Sequence, residues 1–127
     1  MEPASESRRG KRAAGQLGED IACRYLEGLG QTVLARNWRS VHLEIDIVTA
    51  DGKGSLRFVE VKTRTGTDMA LPREYVTKSK QSKLKKTALF YLADNDLDCC
   101  CRFDVAEVYA DEGGEEPRIE YIEDAFM

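Results

Sequence analysis

The sequence predicts one mixed α/β domain, and three observations carry that expectation. Apolar and small residues from Ala14 to Leu29 recur at steps of three and four, the period of an amphipathic helix. Three stretches rich in β-branched and apolar residues then follow between positions 32 and 63, each short enough to be a strand. The chain has 127 residues, 42% hydrophobic and 33% charged, which suits a single core rather than several domains.

Residues 1–12 are polar and carry Arg8, Arg9, Lys11 and Arg12, so a mobile basic arm is expected ahead of a domain over 13–127. The helical stripe runs Ala14, Leu17, Gly18, Ile21, Ala22, Tyr25, Leu26 and Leu29 and stops at Gly30, with Glu19 on its border. Thr32–Trp38, Leu43–Ala50 and Leu56–Thr63 are the expected strands. Asp51 to Ser55 contains two glycines and closes the last two into an antiparallel hairpin. After a loop from Arg64 to Pro72, Ser79 is the expected cap of a second helix reaching Ala93, with Leu84, Ala88, Tyr91 and Leu92 on its buried side. Arg102–Tyr109 and Arg118–Ile122 complete the order αβββαββ, separated by the acidic loop 111–117.

Composition narrows the function classes. No apolar run approaches the length of a membrane helix, and residues 1–12 lack the apolar stretch of a secretory signal, so a cytoplasmic protein is expected. Cys23 stands alone, and Cys99, Cys100 and Cys101 are adjacent without a zinc-type spacing. Small buried or half-buried thiols are the reading adopted for them. The net charge of −4 hides a segregation: residues 1–93 hold 17 Lys/Arg against 11 Asp/Glu, and residues 94–127 hold 2 against 12. A polyanion can therefore meet a positive face built from the first three-quarters of the chain, while the acidic end points elsewhere or shields that face.

Alternation in the hairpin puts Glu44 and Asp46 on one face of their strand, opposite Ile45 and Ile47. On the next strand Leu56, Phe58, Glu60 and Lys62 share a face, with Val59 and Val61 behind them. A symmetric turn pairs Ala50 with Leu56, so Asp46 faces Glu60 and Glu44 faces Lys62. Facing carboxylates repel by a few kcal/mol at ~4 Å, so a cation is expected between them. Lys62 is one; a bound Mg²⁺ or Mn²⁺, which prefers oxygen ligands, is the other. With Lys62 near a metal-bound water, the set describes hydrolysis of a phosphodiester. A solvated strand face carrying an ordinary cross-strand salt bridge remains the alternative reading.

Gly18-Glu19, Arg36-Asn37-Trp38-Arg39, Glu44 to Val48, Phe58 to Arg64, Lys80 and Arg102 to Val105 together resemble the YraN-like family of small bacterial proteins. That family is similar to the restriction-endonuclease-like PD-(D/E)XK nuclease superfamily, in the style of archaeal Holliday-junction resolvases. The resemblance implies an α/β fold with an αβββαβ core, a mixed central sheet flanked by helices. It implies a Mg²⁺ or Mn²⁺ site held by Glu19, Asp46, Glu60 and the Val61 carbonyl. Asp46, Glu60, Glu44 and the catalytic lysine Lys62 would carry the chemistry. Leu43 departs from the glycine usual in the family at that position, which changes how closely a substrate can approach there.

Lys78, Lys80, Lys83, Lys85 and Lys86 crowd the start of the second helix. They are either a solubilising face or phosphate contacts. Lys80 and Arg64 match family positions and, with Lys83 and Arg39, form the expected nucleic-acid-binding set. Trp38 reads as a lid on the core in preference to a base-stacking platform, and His42 as a surface residue. The expected function is a metal-dependent endonuclease acting on DNA, including branched or structured DNA, with no membrane contact and with a homodimer left open. A non-catalytic nucleic-acid-binding module on the same fold is the alternative.

Overall fold

The computed structural model describes residues 3–41, 43–64, 77–109 and 117–126, with the side chains of 3–15 and 64 left outside that description. The expectations for His42, for most of the loop beginning at Arg64 and for the acidic loop at 111–116 fall outside it. The elements are α1 (Pro3–Gly28), β1 (Thr32–Arg39), β2 (Glu44–Ala50), β3 (Ser55–Arg64), α2 (Lys78–Asp94), β4 (Cys100–Tyr109) and β5 (Arg118–Phe126). The order αβββαββ is the one the sequence predicts, and the fold is α/β with a restriction-endonuclease-like core.

The first helix starts well before Ala14, and the basic segment is its opening turns rather than a separate coil. Proline is tolerated in a first turn, and the Ala, Glu, Arg and Lys that follow are good helix formers, so propensity extends the helix beyond its apolar stripe. At the other end, Gln31 donates its N–H to the Leu26 carbonyl at 3.0 Å around Gly30, whose φ is +90°. This is a left-handed cap that satisfies the last carbonyls. The second helix is capped by Thr77, not Ser79: Thr77 Oγ1 accepts from the Lys80 N–H at 3.2 Å.

Among the described residues the strands form one sheet in the order β1-β2-β3-β4-β5. The β3–β4 pair is parallel and the other pairs are antiparallel. Parallel neighbours need a crossover, and α2 lies between them in sequence. Ala22, Cys23 and Leu26 of α1 pack with Ile47, Val59, Ala106 and Val108 on one face. Leu84, Ala88 and Tyr91 of α2 pack with Ile45, Val48, Phe58, Phe103 and Val105 on the other. Each fully buried side chain of this size contributes roughly 1.5–3 kcal/mol.

The expected pairing of Ala50 with Leu56 is present, and the ladder continues to Ile47 with Val59. Leu56 and Phe58 face α2, and Val59 and Val61 face α1, as period-two alternation requires. The expectation for β2 fails at one point: Ile45 lies in the α2 core and Ile47 in the α1 core, so they do not share a face. The break falls beside an irregularity on the neighbouring strand. Asn37, between Arg36 (paired with Ile47) and Trp38 (paired with Ile45), has φ +53°, a left-handed conformation that breaks the pleat. Trp38 and Ile45 then turn together onto the α2 side.

Trp38 is half-buried and meets the Tyr91 ring edge-on at 5.2 Å, so its packing is that of a core lid. β5 runs past Ile122 to Phe126 because a bulge at Asp124 keeps it attached. The Asp124 N–H donates to Asp104 Oδ1 at 2.8 Å, and Phe126 stacks on Phe103 at 5.1 Å. Asp104, fully buried, also accepts from Tyr121 Oη at 2.6 Å and pairs with Arg102, which gives the Arg102-Phe103-Asp104-Val105 stretch a structural role. Cys23 is buried and Cys99 half-buried, but Cys100 and Cys101 are exposed, contrary to expectation, because they stand at the start of β4 beyond the end of the helical cover. No helix among the described residues is long and apolar enough to cross a membrane.

Candidate metal centre

The site forms where β2 and β3 separate beyond the Ile47–Val59 pair. Asp46 no longer joins the backbone ladder. Its Oδ2 instead accepts the Val61 N–H at 2.8 Å, bridging the two strands through a side chain. Glu19, from α1, reaches the same place because Gly18 lets the helix approach β3. A Cβ on Gly18 would collide with the Thr63 hydroxyl.

Carboxylate oxygens of Glu19, Glu44 and Asp46 lie within 4.8 Å of one another. Asn37 holds two of these acids: its Nδ2 donates to Glu44 Oε1 at 2.8 Å and to Glu19 Oε2 at 3.1 Å. Arg39 donates through Nε to Glu44 Oε2 at 3.0 Å, and Arg36 lies 3.5 Å from Glu19 and 2.8 Å from Asp20. The left-handed turn at Asn37 is therefore what presents its amide to both carboxylates. The expectation that Glu44 faces Lys62 gives way to this pairing with Asn37 and Arg39.

Glu60 extends the cluster toward α2. It is 5% exposed, and its Oε1 lies 3.0 Å from Lys80 Nζ. Burial and the nearby charge of Glu60, with a hydrogen bond between the two carboxyls, push the Asp46 pKa up to about 8. Repulsion between close carboxylates in a dry setting is relieved by a shared proton or a cation. While Asp46 is ionised, the buried Oε2 of Glu60 has no donor among the described residues.

Two lysines close the site. Burial, together with a hydrogen bond from Lys80 and its charge, lowers the Lys62 pKa. Burial works against the charge of Lys80 as well, but its contacts with Glu60 and Lys62 outweigh that and raise its pKa. Of the two amines, Lys62 is therefore the one that gives up its proton more readily.

Asp46, Glu60, Lys62, Glu44 and Glu19 are brought together, as the sequence predicts. The Val61 contribution described here is its N–H, which orients Asp46. Lys80 points into the cluster rather than outward, whereas Lys83 is exposed and Arg39 is 78% exposed at the rim. Arg64 ends β3, and its side chain lies outside the described residues. Asn37 and the pairing of Lys80 with Glu60 escaped the sequence reading. The motif Arg36-Asn37-Trp38-Arg39 held a signal for Asn37, since asparagine tolerates positive φ; none marks Lys80.

The set fits a divalent cation with a preference for hard ligands. It offers carboxylate oxygens from α1, β2 and β3, an orphaned acceptor on Glu60, and no sulfur or imidazole donor among the described residues.

Comparison with known proteins agrees with the motifs. The chain is 45% identical over 106 residues to a protein of Oleidesulfovibrio alaskensis, a match covering 83% of this chain and 52% of that one, so it spans about half the length of that relative. It is 44% identical over 119 residues to a protein of Trichlorobacter lovleyi, covering 93% of each. It is 43% identical over 115 residues to one of Rhodococcus jostii, covering 90% of this chain and 96% of that one. All three relatives bear only the name of the same uncharacterised family. Residues 18–108, from the close-approach glycine through β4, match that family as a whole, and the chain belongs to UPF0102, the YraN-like family.

Proposed function

We propose that this protein is a divalent-metal-dependent endonuclease that hydrolyses phosphodiester bonds in DNA, including branched or otherwise structured DNA. The observation that carries the reading is the gathering of Glu19, Glu44 and Asp46 within 4.8 Å, next to a buried Glu60 whose carboxylate lies 3.0 Å from Lys80. Glu19, Glu44 and Asp46 would hold Mg²⁺ or Mn²⁺, with Glu60 adjoining through Asp46. The ion would polarise a phosphoryl oxygen and lower the pKa of a bound water.

The chain's own groups do the rest. The Val61 N–H and the Asn37 amide fix the carboxylates in place before substrate arrives. Lys62, with its lowered pKa, accepts a proton from the attacking water, a contribution of about 10²–10⁴ in rate. Lys80, 3.0 Å from Glu60, offsets the charge of that carboxylate. Arg39 and Lys83, with Arg64 at the end of β3, supply cations for the flanking phosphates. The acidic residues of β5 support the same orientation, since that strand is at the far edge of the sheet from β1, away from the site.

The test is incubation of the pure protein with linear, nicked, flap and four-way-junction DNAs in Mg²⁺ or Mn²⁺, beside Asp46→Asn and Lys62→Ala. Cleavage that chelator and both variants abolish is the expected outcome. Salt-sensitive binding with no metal-dependent cutting of any substrate would replace the enzyme with a binding module.

A further inference from the structure

A groove of about 630 Å³ opens between the end of β1 and α2, lined by Trp38, Arg39, Val41, Phe90, Ala93 and Asp94. Its walls expose apolar surface: Val41 is 92% and Phe90 48% exposed. Trp38 packs one edge on Tyr91 and contributes to the groove floor as well.

The groove is not separate from the metal centre. Arg39 lines it and at the same time donates to Glu44 at 3.0 Å, so one side chain forms the wall between them. At about 100° per residue, Lys83, Lys86 and Phe90 fall along one flank of α2. Lys83 and Lys86 thus precede Phe90 on the side that borders the groove, and Asp94 follows it at the far end.

We infer that this groove receives an unpaired base of the nucleic-acid substrate, next to the phosphate presented to the metal centre. Its substrates are accordingly those with single-stranded character beside the cut. The base stacks on the aromatic surface of Trp38 and Phe90, while Arg39 and the lysines of α2 hold the adjoining backbone. Stacking of this kind is indifferent to base identity, so the groove selects for an unstacked nucleotide rather than a sequence. The link to cleavage rests on the nuclease reading above; binding in the groove does not.

Trp38 is the single tryptophan of the chain and reports directly on the groove. The experiment is titration of the full chain, in chelator, with oligothymidylate, a blunt hairpin duplex and the same duplex with a single-stranded overhang, following tryptophan fluorescence. The same titrations are run on Phe90→Ala and Asp46→Asn, with light scattering of each protein. Oligothymidylate and the overhang should quench fluorescence at concentrations where the blunt duplex does not. Phe90→Ala should weaken that binding roughly tenfold. Asp46→Asn should keep it.

Equal quenching by blunt duplex, or unchanged affinity in Phe90→Ala, would overturn the inference. So would a parent dimer that Phe90→Ala converts to monomer, since the groove would then be a self-contact. Quenching lost in Phe90→Ala without cleavage of any DNA would uphold the groove and remove the nuclease. Metal-dependent cleavage with no preference for unpaired strands in either protein would do the reverse.

Discussion

Lys80 Nζ on α2 lies 3.0 Å from Glu60 Oε1 on β3, and the Glu60 side chain is only 7% exposed. This ion pair joins the second helix to the candidate metal centre, because the same lysine hydrogen-bonds Lys62. Removing Lys80 leaves a buried carboxylate without its cation. Lys80→Met should cost roughly 2–4 kcal/mol in chemical denaturation without metal, less than a wholly interior pair because Lys80 is 29% exposed. Added Mn²⁺ should recover part of the loss. A variant as stable as the parent in chelator would show that Glu60 is not relying on this partner.

The Asp46 pKa, pushed from its ordinary 3.8 to about 8, sets the pH dependence of the metal-free protein. The native state holds a proton that the unfolded chain has released, so this contribution to stability is complete below about pH 4 and is lost as pH rises toward about 8. Denaturation midpoints in chelator should therefore fall across that window. Asp46→Asn should flatten the fall, and saturating Mg²⁺ or Mn²⁺ should do likewise by replacing the proton. Titration calorimetry in buffers of different ionisation enthalpy should register proton release on Mn²⁺ binding near neutral pH, absent in Asp46→Asn.

Asn37 combines a φ of +53° with hydrogen bonds to two acids, and substitutions can separate these roles. Asn37→Gly keeps the backbone conformation and deletes the amide, so Mn²⁺ affinity should drop about 10- to 100-fold with modest loss of stability. Asn37→Ala adds strain of about 1–2 kcal/mol in the left-handed region. Its melting temperature should fall below that of Asn37→Gly, while its Mn²⁺ affinity should be similarly poor. Equal stability of the two variants would mean that the backbone at Asn37 is not held left-handed in solution.

Gly18 is where α1 comes closest to β3. Gly18→Ala places a methyl against the side chain of Thr63, and overpacking of this kind costs typically 1–3 kcal/mol. A helix displaced to relieve the contact carries Glu19 with it, so Mn²⁺ binding should weaken too. Adding Thr63→Ala should restore part of both, as measured in a double-mutant cycle. A fully additive result would place the defect elsewhere.

Much of this protein is decided by local chemistry that a reader of the chain can follow. The turn at Asp51 to Ser55 determines which residues of β2 and β3 oppose each other, because a short hairpin of given length admits few registers. Alternation then places Glu60 and Lys62 on one side of β3 and Val59 and Val61 on the other. Helix and strand order follow from periodicity, and the acids of the centre are visible because buried strands rarely carry them.

Tertiary structure alone decided the rest. Nothing near Asn37 demands a positive φ; the conformation is stabilised by carboxylates from α1 and β2, 18 and 7 residues away in sequence. Beside that residue the pleat breaks, and Ile45 and Ile47 lie in different cores, a result that period-two counting cannot yield. Lys80 reads as one lysine among five on an exposed helix start, and only the packing of α2 on the sheet separates it from Lys83 by aiming it at Glu60. Local propensity and periodicity act over a few residues. The charge state and direction of these side chains depend on groups that folding brings together, and those were settled only when the two helices closed on the sheet.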